Sequence, residues 1–255
     1  MRFTATSTVA AVLVGTASAH TRVFSAWVND VDQGDGRTTY IRSPPNNNPV
    51  KDLTSPDLAC NAAGGTAMPD FVSAAAGDTV TLEWYHNTRG DDIIASSHKG
   101  PIMTYIAPYF EDNGAAAIWT KIDEEGVTGT TWAVDNLIAN KGKRDFTIPS
   151  DIKAGKYIIR QEVIGLHEAD TTFDVNPARG AQFYPSCVQF DISGDGTNVP
   201  SDNFDFNGGY SYQDPGIHFN LYGGDVADYT MPGPATDAQL TGAAQKRKMR
   251  FENRS

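Results

Sequence analysis

The chain has 255 residues, with 20 Lys+Arg against 31 Asp+Glu and a formal net charge of −11. A surface this acidic argues against nucleic acid and anionic membranes as partners and suits a neutral polymer such as a polysaccharide. The length suits one large domain as well as two small ones and is ample for a sizeable core, and 24 glycines with 14 prolines break up any long helical pattern.

Residues 1–19 read as a secretory leader. Arg2 is their only charge, residues 9–15 (VAAVLVG) are apolar, and Ala17-Ser18-Ala19 puts small residues where a signal peptidase cuts. The apolar run is too short to span a bilayer. Cleavage after Ala19 makes His20 the first residue and, with Arg2 gone, takes the net charge to −12. A terminal histidine brings an α-amine of pKa roughly 8 and an imidazole to one position, so both can grip a single ion. Imidazole suits copper, and copper(II) tops the divalent affinity order. His20 could also be no more than the residue after the cut, and partners elsewhere must decide.

Short β-branched and aromatic runs then alternate with turn residues, as in a sandwich or barrel. Residues 26–29 belong to a first strand. Residues 78–87 alternate, with Val80, Leu82 and Trp84 on one face and Thr81, Glu83 and Tyr85 on the other. Further strands are expected over 102–107, 155–167, 181–193 and 216–222. Residues 131–140 are the best helical candidate, with Gly142 as the stop. Cys60 and Cys187 form one disulfide by default in a secreted chain. Residues 235–255 carry five basic and two acidic side chains and read as a basic, disordered tail after a domain spanning 20–234. Asn253 opens the only N-x-[ST] sequon.

The remaining histidines are ambiguous singly. His98 lies in a loop before a strand, His86 at a strand end, and His167 opens His167-Glu168-Ala169-Asp170, while His218 alternates with apolar residues and faces solvent. Glu168 and Asp170 also allow a glycoside hydrolase reading, although adjacency in sequence does not supply the required separation. Gln182 and Tyr184, two apart in a strand, emerge on one largely apolar face and so need polar partners. The chain has no G-x-S-x-G, phosphate loop, dinucleotide fingerprint or H-E-x-x-H.

Together these residues resemble the fungal lytic polysaccharide monooxygenases of auxiliary activity family nine. The resemblance rests on His20 after the leader, Trp27-Val28-Asn29, VDQGDG at 31–36, the Pro/Asn-rich stretch 41–49, DDIIASSH at 91–98, LHEAD at 166–170 and GAQFY at 180–184. It implies an all-β, immunoglobulin-like or fibronectin-like β-sandwich with long loops and short helices. It implies one copper ion held by the amine and imidazole of His20 and by His98, with Tyr184 axial and His167 and Gln182 beside it. Asn47, His86, Asn87, Glu168, Asp170, Arg179 and Tyr222 would meet the substrate. The implied reaction is oxidative cleavage of β-1,4-glucans, leaning to C4, in cellulose, cello-oligosaccharides and hemicelluloses, with an external reductant and O2 or H2O2. A secreted, extracellular monomer is expected. A non-catalytic copper-binding protein on the same scaffold is the alternative.

Overall fold

The computed structural model describes residues 20–238 and 240. The expected leader and most of the expected basic tail, including Asn253, lie outside the described residues.

Eleven strands account for most of the regular structure among the described residues. They are β1 (Arg22–Val28), β2 (Val31–Asp32), β3 (Val72–Ala75), β4 (Thr79–Tyr85), β5 (Ile102–Pro108), β6 (Thr120–Glu125), β7 (Val127–Thr128), β8 (Thr131–Trp132), β9 (Lys143–Thr147), β10 (Lys153–Gly165) and β11 (Gln182–Asp195). Three short α-helices accompany them, α1 (Asp57–Cys60), α2 (Ala133–Ala139) and α3 (Phe206–Gly209), the last followed by a 3-10 turn at Val226–Asp228. The expected helix is α2, and Gly142 follows it at φ 83°, a left-handed conformation that glycine adopts without strain.

One main sheet runs β2-β1-β4-β9 and the other β3-β11-β10-β5-β6, and β7-β8 form a separate two-stranded hairpin. Every pairing is antiparallel except β3 with β11. The sheets pack face to face through Val23, Ala26, Val80, Leu82 and Trp84 on one side and Ile102, Ile159, Val163, Val188 and Phe190 on the other. This is the expected β-sandwich. Inside it, Trp84 Nε1 donates to Gln161 Oε1 at 2.8 Å, and Gln161 Nε2 donates to Thr104 Oγ1, so the buried indole is satisfied.

Strand periodicity also builds a second core. Residues 158, 160, 162 and 164 of β10 point away from the first core, where loops, α1 and α3 cover Met103, Tyr105, Trp119, Phe183 and Phe206. Arg160 and Glu162 are fully buried there as an ion pair. Arg160 also donates to the Ala59 and Leu58 carbonyls. The Cys60–Cys187 disulfide ties α1 to β11 on the same side, with a Cα–Cα distance of 5.4 Å.

Two expectations change, and the second face of β4 is covered as well: Thr81, Glu83 and Tyr85 are buried although they face outward. The reason is a layer of stacked side chains over β1 and β4: Arg89 lies over Phe24 and Trp27, Arg37 over Phe24 and Tyr85, and Lys143 Nζ sits 3.4 Å from the Trp27 ring centroid. Residues 216–222 form no strand. The Ile217 and His218 amides both bond to the Asp214 carbonyl, making turns, and alternation there only drives Ile217 and Phe219 into the second core. The start of the expected tail is packed: the Asp237 amide donates to the Lys121 carbonyl and Leu240 is buried in the inter-sheet core.

Candidate metal centre

The centre forms at one end of the sandwich. His20 precedes β1 of the smaller sheet. His98 precedes β5, His167 follows β10, and Gln182 and Tyr184 begin β11, all in the larger sheet. Antiparallel pairing sets Gly165 against Gln182 and Val163 against Tyr184, so the end of β10 and the start of β11 meet at one edge. The 98–100 turn approaches β10 closely. A Cβ on Gly100 would lie 1.9 Å from the Ile164 carbonyl oxygen, which only glycine avoids.

Four rings share this edge. The centroids of His20, His98 and Tyr184 are 6.5, 6.0 and 6.2 Å apart pairwise, and His167 lies 3.8 Å from His98. His20 Nδ1, His98 Nε2 and His167 Nδ1 are buried and have no hydrogen-bond partner. His98 Nδ1 is already engaged by the Ser97 hydroxyl at 3.3 Å. A buried unpaired polar atom costs roughly 1–3 kcal/mol, so three together on one side of a protein mark a place built for something else. Nitrogen donors from imidazoles, with a phenol beside them, fit copper.

Electrostatics keep these nitrogens available. Burial, reinforced by the neighbouring His167 and His20, lowers the His98 pKa to about 3. Burial also lowers His167, against the opposing pull of Glu168. It lowers His20, with Asn48 acting in the opposite sense and His86 adding to the fall. Neutral imidazoles are the form that binds metal. Burial pushes the Tyr184 phenol well above its ordinary range, so it stays protonated.

Tyr184 Oη donates to Gln182 Oε1 at 2.6 Å, and Gln182 Nε2 donates to Glu168 Oε2 at 3.0 Å. These are the partners that the sequence demanded for two polar residues on an apolar face. Asp170 pairs with Arg179, whose guanidinium holds the carboxyl below the usual carboxylate range. Tyr222 is 75% exposed and lies within electrostatic reach of Arg179. His218 is exposed as expected, with Nε2 3.2 Å from the Asp170 carbonyl oxygen.

On the other flank, Asn47 Nδ2 donates to the His86 carbonyl at 3.0 Å, and Asn87 is exposed beside it. The His86 ring is buried, with Nδ1 2.9 Å from Asp92 Oδ1 and Nε2 unpaired. Sequence reasoning passed over Asp91. It accepts the backbone N–H groups of His86, Asn87, Thr88 and Ile93 at 3.0, 2.6, 2.7 and 3.0 Å. Burial alone would raise its carboxyl, but these bonds outweigh burial and lower it. They also hold Ile93 at φ 67°, a strained position for a β-branched residue. The Ile93 bond, two residues on, closes an Asx turn, and an Asp directly after Gly90 is the turn signal that could have found it. His86, Asp91 and Asp92 place ligand-type atoms within 4.8 Å of one another. Their internal bonds account for that grouping.

A sandwich that brings His20, two more imidazoles and a buried tyrosine to one edge has the architecture of the lytic polysaccharide monooxygenases. Residues 20–229 match the model of Auxiliary Activity family 9 (formerly GH61), and the chain belongs to that family. It is 57% identical over 247 residues to AA9 family lytic polysaccharide monooxygenase A of Collariella virescens, covering 94% of this chain and 90% of the relative. The solved structure CvAA9A superimposes with a TM-score of 0.84 at 57% identity, covering 86% of this chain and 98% of that one. A cellulose-active polysaccharide monooxygenase from M. thermophila superimposes at 0.67 with 28% identity, over 86% and 99% of the two chains.

Proposed function

We propose that this monooxygenase is secreted, is cut before His20, and cleaves β-1,4-glucans oxidatively at a single copper ion. The observation that carries the reading is the trio of buried, unpaired imidazole nitrogens beside the protonated Tyr184. His20 would hold the ion through its freed amine and Nδ1, and His98 through Nε2, with Tyr184 next to it. Bound copper supplies one-electron chemistry toward O2 or H2O2, driven by an external reductant, that permits hydrogen abstraction from a sugar carbon at the glycosidic linkage.

The chain's own residues set the conditions. Tyr184, 1% exposed, shuts water from the inner side of the site. His167 stays neutral through burial and keeps Nδ1 free for a hydrogen bond with the oxidant. Glu168, Asp170, Arg179 and Tyr222 on one flank, and Asn47, His86 and Asn87 on the other, offer amides, charges and a ring to sugar hydroxyls and sugar faces. Cellulose is favoured by the likeness to the cellulose-active M. thermophila enzyme, and cello-oligosaccharides and hemicelluloses by the polar flanks. Oxidation at C4 follows from the family resemblance of the flank residues Asn47, His86, Asn87 and Tyr222.

A hydrolase built on Glu168 and Asp170 is disfavoured. A general acid needs a raised pKa, whereas Arg179 lowers Asp170 and Gln182 occupies Glu168. The test is product analysis of secreted protein whose N-terminus has been sequenced. With copper and reductant it gives oxidised oligosaccharides, and a chelator abolishes them. Purely hydrolytic products that survive chelation would refute the proposal.

A further inference from the structure

The amide of Gln182 has two ends; it also neighbours the His98 ring, whose nitrogen the proposed ion would take, and two further groups compete to decide which way it points. Glu168 Oε2 lies 3.0 Å from one end and Tyr184 Oη lies 2.6 Å from the other. A carboxylate can only accept hydrogen bonds, an amide has a donating and an accepting end, and a phenol can do either. Only Glu168 therefore has a fixed preference. It requires the Nε2 end of Gln182. That leaves Oε1 facing Tyr184, so the phenol must donate, and its proton points at Gln182. The lone pairs of Tyr184 Oη are then left for the space that it shares with His20 and His98, whose ring centroids stand 6.0 and 6.2 Å away.

Without the carboxylate, the opposite arrangement satisfies the same atoms. The amide turns over, Nε2 donates to Tyr184 Oη, and the phenolic proton swings toward the rings. Both Gln182 and Tyr184 are buried, with 7% and 1% exposure, so water cannot easily arbitrate between the two states. Glu168 is only half-buried and sits at the open face, two residues from Asp170.

We infer that Glu168 is a positioning residue: acting through the Gln182 amide, it fixes the direction of the Tyr184 phenolic proton and so presents the phenol oxygen, not its proton, to the metal. This rests on the copper site proposed above. It gives Glu168 a role distinct from touching sugar, because the relay is complete in the protein alone. No proton changes owner in it; one hydrogen bond is redirected.

The test reads the metal's surroundings, with no turnover involved. Copper(II) is added to N-terminally processed wild type, Glu168→Gln, Glu168→Ala, Tyr184→Phe and the two corresponding double variants. Electron paramagnetic resonance spectra are recorded without substrate, and thermal melts confirm folding. The Glu168→Gln and Glu168→Ala spectra should differ from wild type in parallel g value and copper hyperfine splitting, beyond the spread of repeat preparations. In the Tyr184→Phe background, which has no phenolic proton to direct, the same Glu168 changes should produce no further shift. Glu168 substitutions that leave the spectrum of the tyrosine protein unchanged overturn the inference. So does an equal shift in both backgrounds, which would mean that the lost charge acts through space. Failure of the wild type to bind copper at one nitrogen-ligated site would instead overturn the metal site itself.

Discussion

The rings of His98 and His167 lie 3.8 Å apart between centroids and tilt by 34°, wedged against the end of β10. A Cβ on Gly165, the last residue of that strand, would lie 3.2 Å from His98 Cδ2 and 3.5 Å from His167 Nδ1. A contact of 3.2 Å forces a ring to move by a few tenths of an ångström. Gly165→Ala should therefore weaken copper binding by about 10-fold, the low end for changes that reorient a metal ligand from behind. Isothermal titration of the metal-free protein measures it, and an unchanged affinity would show that the ring pair has slack.

The lowered imidazoles make stability pH-dependent. His98 sits at about 3, and His20 and His167 are also lowered, whereas in the unfolded chain each titrates near about 6.5. Between those values the unfolded chain binds more protons than the folded one. This contribution is thus fully present above about pH 6.5 and is lost as pH falls toward 3. In urea melts of metal-free protein, the part due to His98 should amount to on the order of 2–3 kcal/mol between pH 7 and pH 4. His98→Gln should flatten the profile by that amount, and a parallel profile would contradict the shift.

The ion pair in the second core predicts a large single-residue effect. Arg160 and Glu162 are fully buried, and Arg160 also serves the Leu58 and Ala59 carbonyls. Arg160→Met leaves a buried carboxylate and two carbonyls short of a donor. The loss should be about 3–5 kcal/mol, read from denaturant midpoints. Tyr210 Oη, which donates to Glu162 at 2.9 Å, can compensate only in part.

The Cys60–Cys187 link closes a loop across 127 positions. The double change to alanine should lower stability by about 2–5 kcal/mol. Both half-cystines are fully buried far from solvent, so mild reductant should leave the native protein's melting temperature unchanged while the double variant melts lower.

Much of this was legible in the sequence because period-2 alternation and the metal-ligand chemistry are local signals. Val80, Leu82 and Trp84 announced an inner face, and Gln182 with Tyr184 announced a polar pair seeking partners. What stayed hidden depends on residues that meet only after folding. Alternation put Glu83 on the second face of its strand, but nothing local reveals that Arg89 and Trp27 cover that face. Residues 216–222 alternate like a strand, yet Asp214 captures their amides in turns, a choice made by tertiary packing of Ile217 and Phe219. Lys121 carries a charge and reads as surface. It is fully buried because Glu124 and the Pro232 carbonyl, 111 positions away, both receive its ammonium. In the candidate site, the types of the ligating residues could be named from sequence, but the loop knot at Asp91 and the relay through Glu168 could not.

His20 leads into one sheet, while His98 and His167 flank strands of the other and Tyr184 lies within it. An ion gripped by both is consequently a clasp across the open end of the sandwich, and holding the ion and keeping the two layers shut become a single linked equilibrium. At 100-fold excess over its dissociation constant a ligand that binds only the native state adds about 2.7 kcal/mol. Stripping it should loosen that end first, seen as faster amide exchange at Thr21–Val23 and Ser97–Gly100 while the far end near Asn29 and Thr79 stays as it was.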